Sequence, residues 1–447
     1  MTARPAVRPF HAAVAAFTAG TDTPRELLER CIAVIDASEG DVGAFEYLAI
    51  EAARRSADDA TARYRAGTAK SPIDGIPIGI KDIIETKDMP TGFGSPLFEG
   101  YSGGRDAASV FALREAGAVI VGKTVTTEFA ATVPGKTRNP FDLARTPGGS
   151  SSGSAAAVGS GMLCAGLGTQ VIGSILRPAS YCGCVGYKPS VGGINRGGSV
   201  DFHSQSTMGV LAATLDDAWL VAREISARAG GDPGYPGVRG PRTVPAARAP
   251  KTLAFLETPG WALATADAKS KLAGALDVLR KAGITIADRN SSAAVKDVED
   301  VLPEARPLSM RINTWEFRWP LNTYGHDMDH AKLSRPMQER LVDAEAMTLE
   351  EYGDLLARRD QIRAIYARLA ASCDAAISLT APGAAPLGLQ STGEPAFVVP
   401  GSLLGVPAVS LPLLETESLP LGVQLLGYLE RDADLFAVAA AVRDQFV

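Results

Sequence analysis

Two stretches decide how this chain reads: Pro147-Gly-Gly-Ser-Ser-Ser-Gly-Ser-Ala-Ala-Ala157-Val158 and Gly168-Thr-Gln-Val-Ile-Gly-Ser-Ile-Leu-Arg-Pro-Ala179. Both are too small in side chain and too rich in backbone to be ordinary core. The alanine run of the first can start a helix. Ser150, Ser151, Ser152 and Ser154 then read as a cap or as the rim of an anion-binding loop. A phosphate loop fails, because no Gly-Lys-Ser/Thr follows at the needed spacing. The second stretch places a lone serine, Ser174, after Gly173. A nucleophilic serine needs a proton acceptor and a cradle for the developing oxyanion. The backbone N–H groups of Val171, Ile172, Gly173 and Ser174 are candidates for that cradle, with Gly173 admitting an unusual turn. A helix-start serine after a glycine turn is the competing reading.

Working outward, Gly75-Ile-Pro-Ile-Gly-Ile-Lys81-Asp-Ile-Ile is short, apolar and β-branched, which predicts a buried strand. Lys81 would sit where that strand leaves the sheet. Burial penalises an ammonium ion, so its pKa should fall and the amine become a base. The alternative is a lysine that snorkels to water. Helices are predicted over 24–35, capped by Asp22 or Thr23, over 49–66 and over 107–117, with a strand at 118–122. The alternation of strand and helix argues for an α/β core around a largely buried sheet. The Gly/Pro/Arg-rich segment 228–249 reads as a surface connection. After it come a strand at 252–255, a helix at 266–282 and a strand at 284–288. Residues 295–375 read as helical and carry Trp315, Phe317, Trp319 and Tyr324. Strands at 406–411 and 421–426 and a helix at 432–446 close the chain.

At 447 residues with 46% hydrophobic content, the chain can bury a large core, as one α/β domain or as several units. Its net charge of -6 and lack of a basic run argue against nucleic acid. The five cysteines, Cys31, Cys164, Cys182, Cys184 and Cys373, are scattered and odd in number, as free thiols in a reducing compartment would be. Cys182 and Cys184 have the wrong spacing for a zinc site. Arg4 and Arg8 precede a short amphipathic helix, and no apolar run approaches the ~18 residues of a membrane span. These observations predict a soluble, cytoplasmic protein with no membrane partner.

Of the four histidines, His11, His203, His326 and His330, none stands in a Ser-His-Asp context. His326 and His330 lack the glutamate of a zinc-protease helix. If Ser174 is a nucleophile, Lys81 is a better candidate for its base than any imidazole, an accepted variant of the triad logic.

With these residues in view, the chain resembles the amidase signature family. The resemblance runs through Gly75–Asp82, Gly117–Thr124, Glu128–Ala130, Asn139–Leu143 and Pro147–Ser151. It continues at Cys182–Gly183, Gly186–Pro189, Gly405–Pro412 and Leu419–Gly427. It implies a large mixed central β-sheet covered by helices on both faces. It also implies one domain over 1–447, with its core in 65–225 and 375–447 and a variable helical pocket region at about 295–375. The family's Ser–cisSer–Lys triad maps onto Ser174 as nucleophile, Ser150 as the bridging serine after a cis peptide bond, and Lys81 as base. Ser151, Gln170 and Arg177 would support it, and no metal or organic cofactor is required.

The chain departs from the common Asp-Thr-Gly-Gly-Ser-Ile-Arg block, reading Gln170-Val-Ile-Gly-Ser-Ile-Leu with Arg177 one place later. Ser206 stands where the pattern has a later Asp. The support around the triad is thus neutralised, which bears on substrate choice. The implied activity is hydrolysis of small aryl or alkyl amides through an acyl-enzyme, with carbamate (urethanase) or ester cleavage as alternatives. Segment 310–325, with Trp315, Trp319 and Tyr324, joins Phe93 and Phe129 as a pocket for a ring or alkyl chain; helix packing is the other use of these aromatics. Membership of a tRNA-dependent amidotransferase complex is a further alternative, opposed by the acidic charge and by the divergence at 170–177. A catalytically dead binding protein is opposed by the intact triad positions. The expected partners are a small amide or carbamate substrate and no nucleic acid, with a homodimer left open.

Overall fold

Alternate residues of the strands enter two different apolar clusters. Val119 and Val121 join one and Ile120 the other, and Ala408/Val409, Leu253/Ala254 and Val210/Leu211 divide in the same way. Side chains alternate across a strand, so this division means that both faces of the sheet are covered. A computed structural model describes residues 4–131 and 133–446. The strands are β1 (Phe45–Leu48), β2 (Pro77–Lys81), β3 (Val119–Thr124), β4 (Ala165–Gln170), β5 (Val185–Lys188), β6 (Thr207–Ala212), β7 (Thr252–Phe255), β8 (Thr285–Ala287), β9 (Ala375–Leu379), β10 (Ala408–Thr416) and β11 (Leu419–Leu426). Among the described residues they form one mixed sheet of eleven strands in the order β1-β3-β2-β4-β6-β5-β10-β11-β9-β7-β8. β2 runs parallel to both β3 and β4, and β7 runs parallel to β8 and β9; the remaining pairs are antiparallel.

The helices follow their caps. Pro24–Val42 starts at Thr23, whose side chain accepts from the Glu26 N–H, and ends at Gly43 in the left-handed region. Ile50–Arg65, Ala108–Ala116, Ala266–Lys281 and Asp432–Arg443 form where periodicity places them. Segment 295–375 is mostly helical, and 230–251 holds no helix or strand. Five strands lie outside the sequence expectation: β1, β4, β5, β6 and β9. β4 overlaps the stretch that opens at Gly168. That glycine is needed for close approach, since a Cβ there would lie 2.7 Å from Ser151 Oγ.

Helix Ser152–Gly159 is buried at every residue and packs on β4. Helix Leu176–Tyr181 is equally buried and packs on β10 and β11. The two glycine- and serine-rich stretches therefore lie inside the molecule, beside the ends of β2 and β4. Among the described residues no helix is long and apolar enough to cross a membrane.

Candidate active site

Lys81 ends β2 and is fully buried, so it does not reach water. β4 runs alongside with Leu167 opposite Ile80, which brings Thr169 near the lysine. Lys81 Nζ lies 2.7 Å from Ser150 Oγ and 3.0 Å from Thr169 Oγ1. Burial pushes the Lys81 pKa down from 10.5 to about 7, and the Asp201 carboxylate acts in the opposite direction. A displacement of that size disfavours the ammonium by about 5 kcal/mol. The amine is thereby brought near neutrality, where a proton acceptor is most effective.

Ser150 stands just before helix Ser152–Gly159, and the Gly149–Ser150 peptide is cis. Arg177 Nη2 donates to the Gly149 carbonyl at 2.7 Å and to Thr392 Oγ1 at 2.8 Å. Buried Arg177 thus ties helix Leu176–Tyr181 to the peptide that presents Ser150. Burial lowers the Arg177 pKa to about 10, which leaves the guanidinium charged at neutral pH. Ser151 links the two stretches: its N–H donates to the Ser174 carbonyl at 3.3 Å, and its hydroxyl donates to the Thr169 carbonyl at 3.4 Å.

Ser174 and Ser150 line one cavity of about 600 Å³. The Ser174 hydroxyl makes no hydrogen bond among the described residues. The N–H groups of Val171, Ile172, Gly173 and Ser174 likewise have no partner among the described residues. Their loop is held from outside. Gln170 Oε1 accepts from the N–H groups of Ile175 and Leu176 at 2.9 and 3.0 Å. Gln170 Nε2 donates to Ser402 Oγ at 3.0 Å, and Ser402 donates to the Ile172 carbonyl at 2.9 Å. Ser206 donates to the Gln170 carbonyl at 3.4 Å. A neutral amide at 170 thus supplies both an acceptor and a donor. Gly173 has no positive φ, contrary to the unusual turn expected there. It is required by space, because a Cβ would come within 2.4 Å of Val398 Cγ2.

Gln170→Leu strands two buried N–H groups, each costing about 1–3 kcal/mol. We expect the variant to lose about 3 kcal/mol of stability in urea unfolding. A loss below ~1 kcal/mol would mean that the loop does not depend on Gln170.

Sequence reasoning missed Thr169, Asp201 and His203. His203 Nδ1 lies 3.2 Å from Asp201 Oδ1, and both residues are buried and line the cavity. His203 thus has an acidic partner, but its ring makes no hydrogen bond to Ser174 or Ser150 among the described residues. Burial raises the Asp201 pKa, but His203, Arg196 and Ser206 together outweigh it and hold the carboxyl below its ordinary value. The two residues stand two apart on an irregular segment, a spacing without a motif. Phe317, which also lines the cavity, stands out in the sequence only as part of an aromatic stretch.

Of the five aromatic pocket candidates, Phe129 lines the cavity and four do not. Tyr324 stacks on Phe129 from behind at 5.1 Å, and Phe93 packs edge-on against Phe98 at 4.8 Å. Trp315 stacks on Tyr352 at 5.4 Å. Trp319 is 62% exposed beside Phe202. Helix packing and surface placement account for these four, so the pocket reading is corrected to Phe129.

A family model described as Amidase matches residues 26–436. A glutamyl-tRNA(Gln) amidotransferase subunit from Anaeromyxobacter sp. (strain K) is 32% identical, with 93% of this chain and 92% of that protein covered. Its counterpart of the same description from Chloroflexus aggregans (strain MD-66 / DSM 9485) is 33% identical, with 96% and 94% covered. A crystal structure of an amidase superposes with a TM-score of 0.83 at 27% identity, covering 98% of this chain and 100% of that one. Native peptide amidase from Stenotrophomonas maltophilia superposes with a TM-score of 0.76 at 26% identity, covering 97% and 95%. These relatives overturn the expectation of no nucleic acid partner. Proteins similar over nearly their whole length are subunits of an amidotransferase described by its tRNA. The net charge of one subunit says nothing about the surface of an assembly, so a charge of -6 carries no such exclusion.

Proposed function

The chain belongs to the amidase family and is a hydrolase of carbon–nitrogen bonds, and we propose that it cleaves small amides by acyl transfer to Ser174, with Ser150 and Lys81 moving the proton. The observation that carries this reading is Lys81 Nζ at 2.7 Å from Ser150 Oγ, beside a cavity that Ser174 shares.

Ser174 Oγ attacks the carbonyl carbon and gives its proton to Ser150, which gives its own to neutral Lys81. This relay requires the Ser174 hydroxyl, which has no hydrogen bond among the described residues, to close on Ser150 when substrate binds, as catalytic contacts commonly do. The N–H groups of residues 171–174 hold the oxyanion. The intermediate collapses as the leaving nitrogen takes a proton from Ser150, replaced from Lys81. Water then attacks the acyl-enzyme, passing its proton along the same route, and Ser174 departs reprotonated. The net reaction converts amide and water to acid and amine. The apolar wall of Phe129, Val171, Ile172 and Phe317 supports an aryl or alkyl substituent on the substrate. Carbamates and esters fit the same route. Five buried free thiols support action in the reducing cytoplasm.

A second reading, an amidotransferase component that releases ammonia from an amide for a tRNA-linked acceptor, is favoured by the relatives at 32% and 33% identity. The neutral Gln170 and Ser206 and the apolar cavity wall place it second. The test is a panel of matched amide, anilide, carbamate and ester substrates of one acyl group, with glutamine alongside, given to the purified chain. We expect the amide and anilide to turn over and glutamine to lag. Turnover of glutamine alone, or only when partner proteins are added, would reverse the order.

A further inference from the structure

Lys81 Nζ makes two hydrogen bonds among the described residues, at 2.7 Å to Ser150 Oγ and at 3.0 Å to Thr169 Oγ1. The proton route uses the first and leaves the second without a task. All three side chains are closed off: Lys81 is 0%, Thr169 1% and Ser150 2% exposed. Thr169 is also firmly placed. Its backbone pairs with Met208 on β6. Its N–H donates to the Ser151 hydroxyl at 3.4 Å, and that hydroxyl donates to its carbonyl at 3.4 Å. Branching at Cβ restricts χ1, so the threonine hydroxyl stays where the backbone puts it.

A neutral amine has two hydrogens and one lone pair. To take the Ser150 proton, that lone pair must point along the 2.7 Å contact. The two hydroxyls cannot both donate to it. Ser150 is the closer and takes it, so Thr169 Oγ1 is left as an acceptor for one amine hydrogen. Without that acceptor the Cε–Nζ bond settles in any of three staggered positions, and only one aims the lone pair at Ser150. Once the proton has arrived, the ammonium donates to both hydroxyls. A hydrogen bond from a charged donor is the stronger, so the Thr169 contact gains as the charge forms. Nothing else stands in for it. The Asp201 carboxylate favours the ammonium form but makes no hydrogen bond to Nζ. Asp82, next in the chain, is paired with Lys123 at 2.9 Å.

We propose that Thr169 is the positioning residue for the base: its hydroxyl accepts a hydrogen from the Lys81 amine, turns the lone pair onto Ser150, and holds the ammonium after proton transfer. The inference rests on the reading in which Ser150 passes a proton to Lys81. The proton leaves Ser150 Oγ and arrives on Lys81 Nζ. No bond forms or breaks at Thr169, which keeps its own proton throughout.

The experiment follows single-turnover acylation by a saturating nitroanilide across pH in wild type, Thr169→Val, Thr169→Ala and Thr169→Ser. Valine keeps the shape and removes the acceptor; serine keeps the acceptor and removes the methyl. Alanine and serine lack the same methyl, so comparing them isolates the hydroxyl even where valine folds poorly. In the valine and alanine variants the plateau rate should fall about ten- to hundredfold. Their rising limb should move to lower pH, because an ammonium deprived of an acceptor gives up its proton more readily. Thr169→Ser should stay within about threefold of wild type with its limb in place. A valine variant as fast as wild type, or a limb that stays put or moves to higher pH without the hydroxyl, overturns the proposal. So does a serine variant as slow as alanine, since that describes a methyl group that only packs. Failure of the underlying reading shows separately, as anilide turnover that persists in Ser174→Ala whatever residue stands at 169.

Discussion

Ser174→Ala lowers kcat/KM for an anilide by about 10⁴-fold or more, while thermal unfolding stays within a few degrees of wild type. The size of the effect follows from the chemistry. Alanine removes the atom that accepts the acyl group, and Ser150, held at 2.7 Å from Lys81, belongs to the proton route rather than to attack. The loop N–H groups and the cavity remain, so the residual rate is what binding and oxyanion stabilisation alone supply. Stability changes little, because the Ser174 hydroxyl has no hydrogen bond to lose among the described residues, while its carbonyl keeps the Ser151 N–H. Labelling by a fluorophosphonate should appear at Ser174 in wild type and vanish in the variant. An alanine variant as fast as wild type would remove Ser174 from the reaction.

The second large effect is at Lys81. Lys81→Met keeps an unbranched chain in a fully buried position, removing the amine and exchanging one methylene for sulfur. We expect kcat to fall by about 10³- to 10⁵-fold, since no other base stands within hydrogen-bonding reach of Ser150 among the described residues. The fold should tolerate the change. Methionine buries no charge, and the loss is confined to the contacts with Ser150 and Thr169. In the double variant with Ser174→Ala the losses should not multiply, because the two residues serve one step. Full additivity, measured by steady-state kinetics, would show two independent contributions and contradict the relay.

Much of the fold is legible in the sequence because its signals are local. Thr23 before Pro24 starts a helix, and Ile78 and Ile80 mark a buried strand, through side chains that act within a few residues of themselves. β4 is not legible. Its sequence, Ala-Gly-Leu-Gly-Thr-Gln, has the glycine content of a loop, and Gly166 and Gly168 make room for groups that other segments bring up, Ser154 against Gly166 and Ser151 and Leu211 against Gly168. β9 opens on two alanines, which carry little strand signal, and is buried along its whole length. Lys81, Ser150 and Ser174 are picked out by residue type and by resemblance, and the first two are in contact. Thr169 and the Asp201–His203 pair depend on how β4 and the segment after Arg196 are placed, which no periodicity encodes. Aromatic content at 315–324 gives no direction, so Trp315 and Trp319 fall outside the cavity while Phe317 lines it.

The account turns on an uncharged lysine. Its most direct test is the rate of acylation, followed in single turnovers from pH 5 to pH 10, in wild type and in Asp201→Asn. With the Lys81 pKa at about 7, the wild-type rate rises through that pH and levels off above it. The Asp201 carboxylate stabilises the ammonium form, so its loss makes the proton easier to release and moves the limb to lower pH. A rate that peaks near pH 5 and falls towards alkaline pH, or a limb that moves to higher pH without the carboxylate, would contradict a neutral Lys81 as the base.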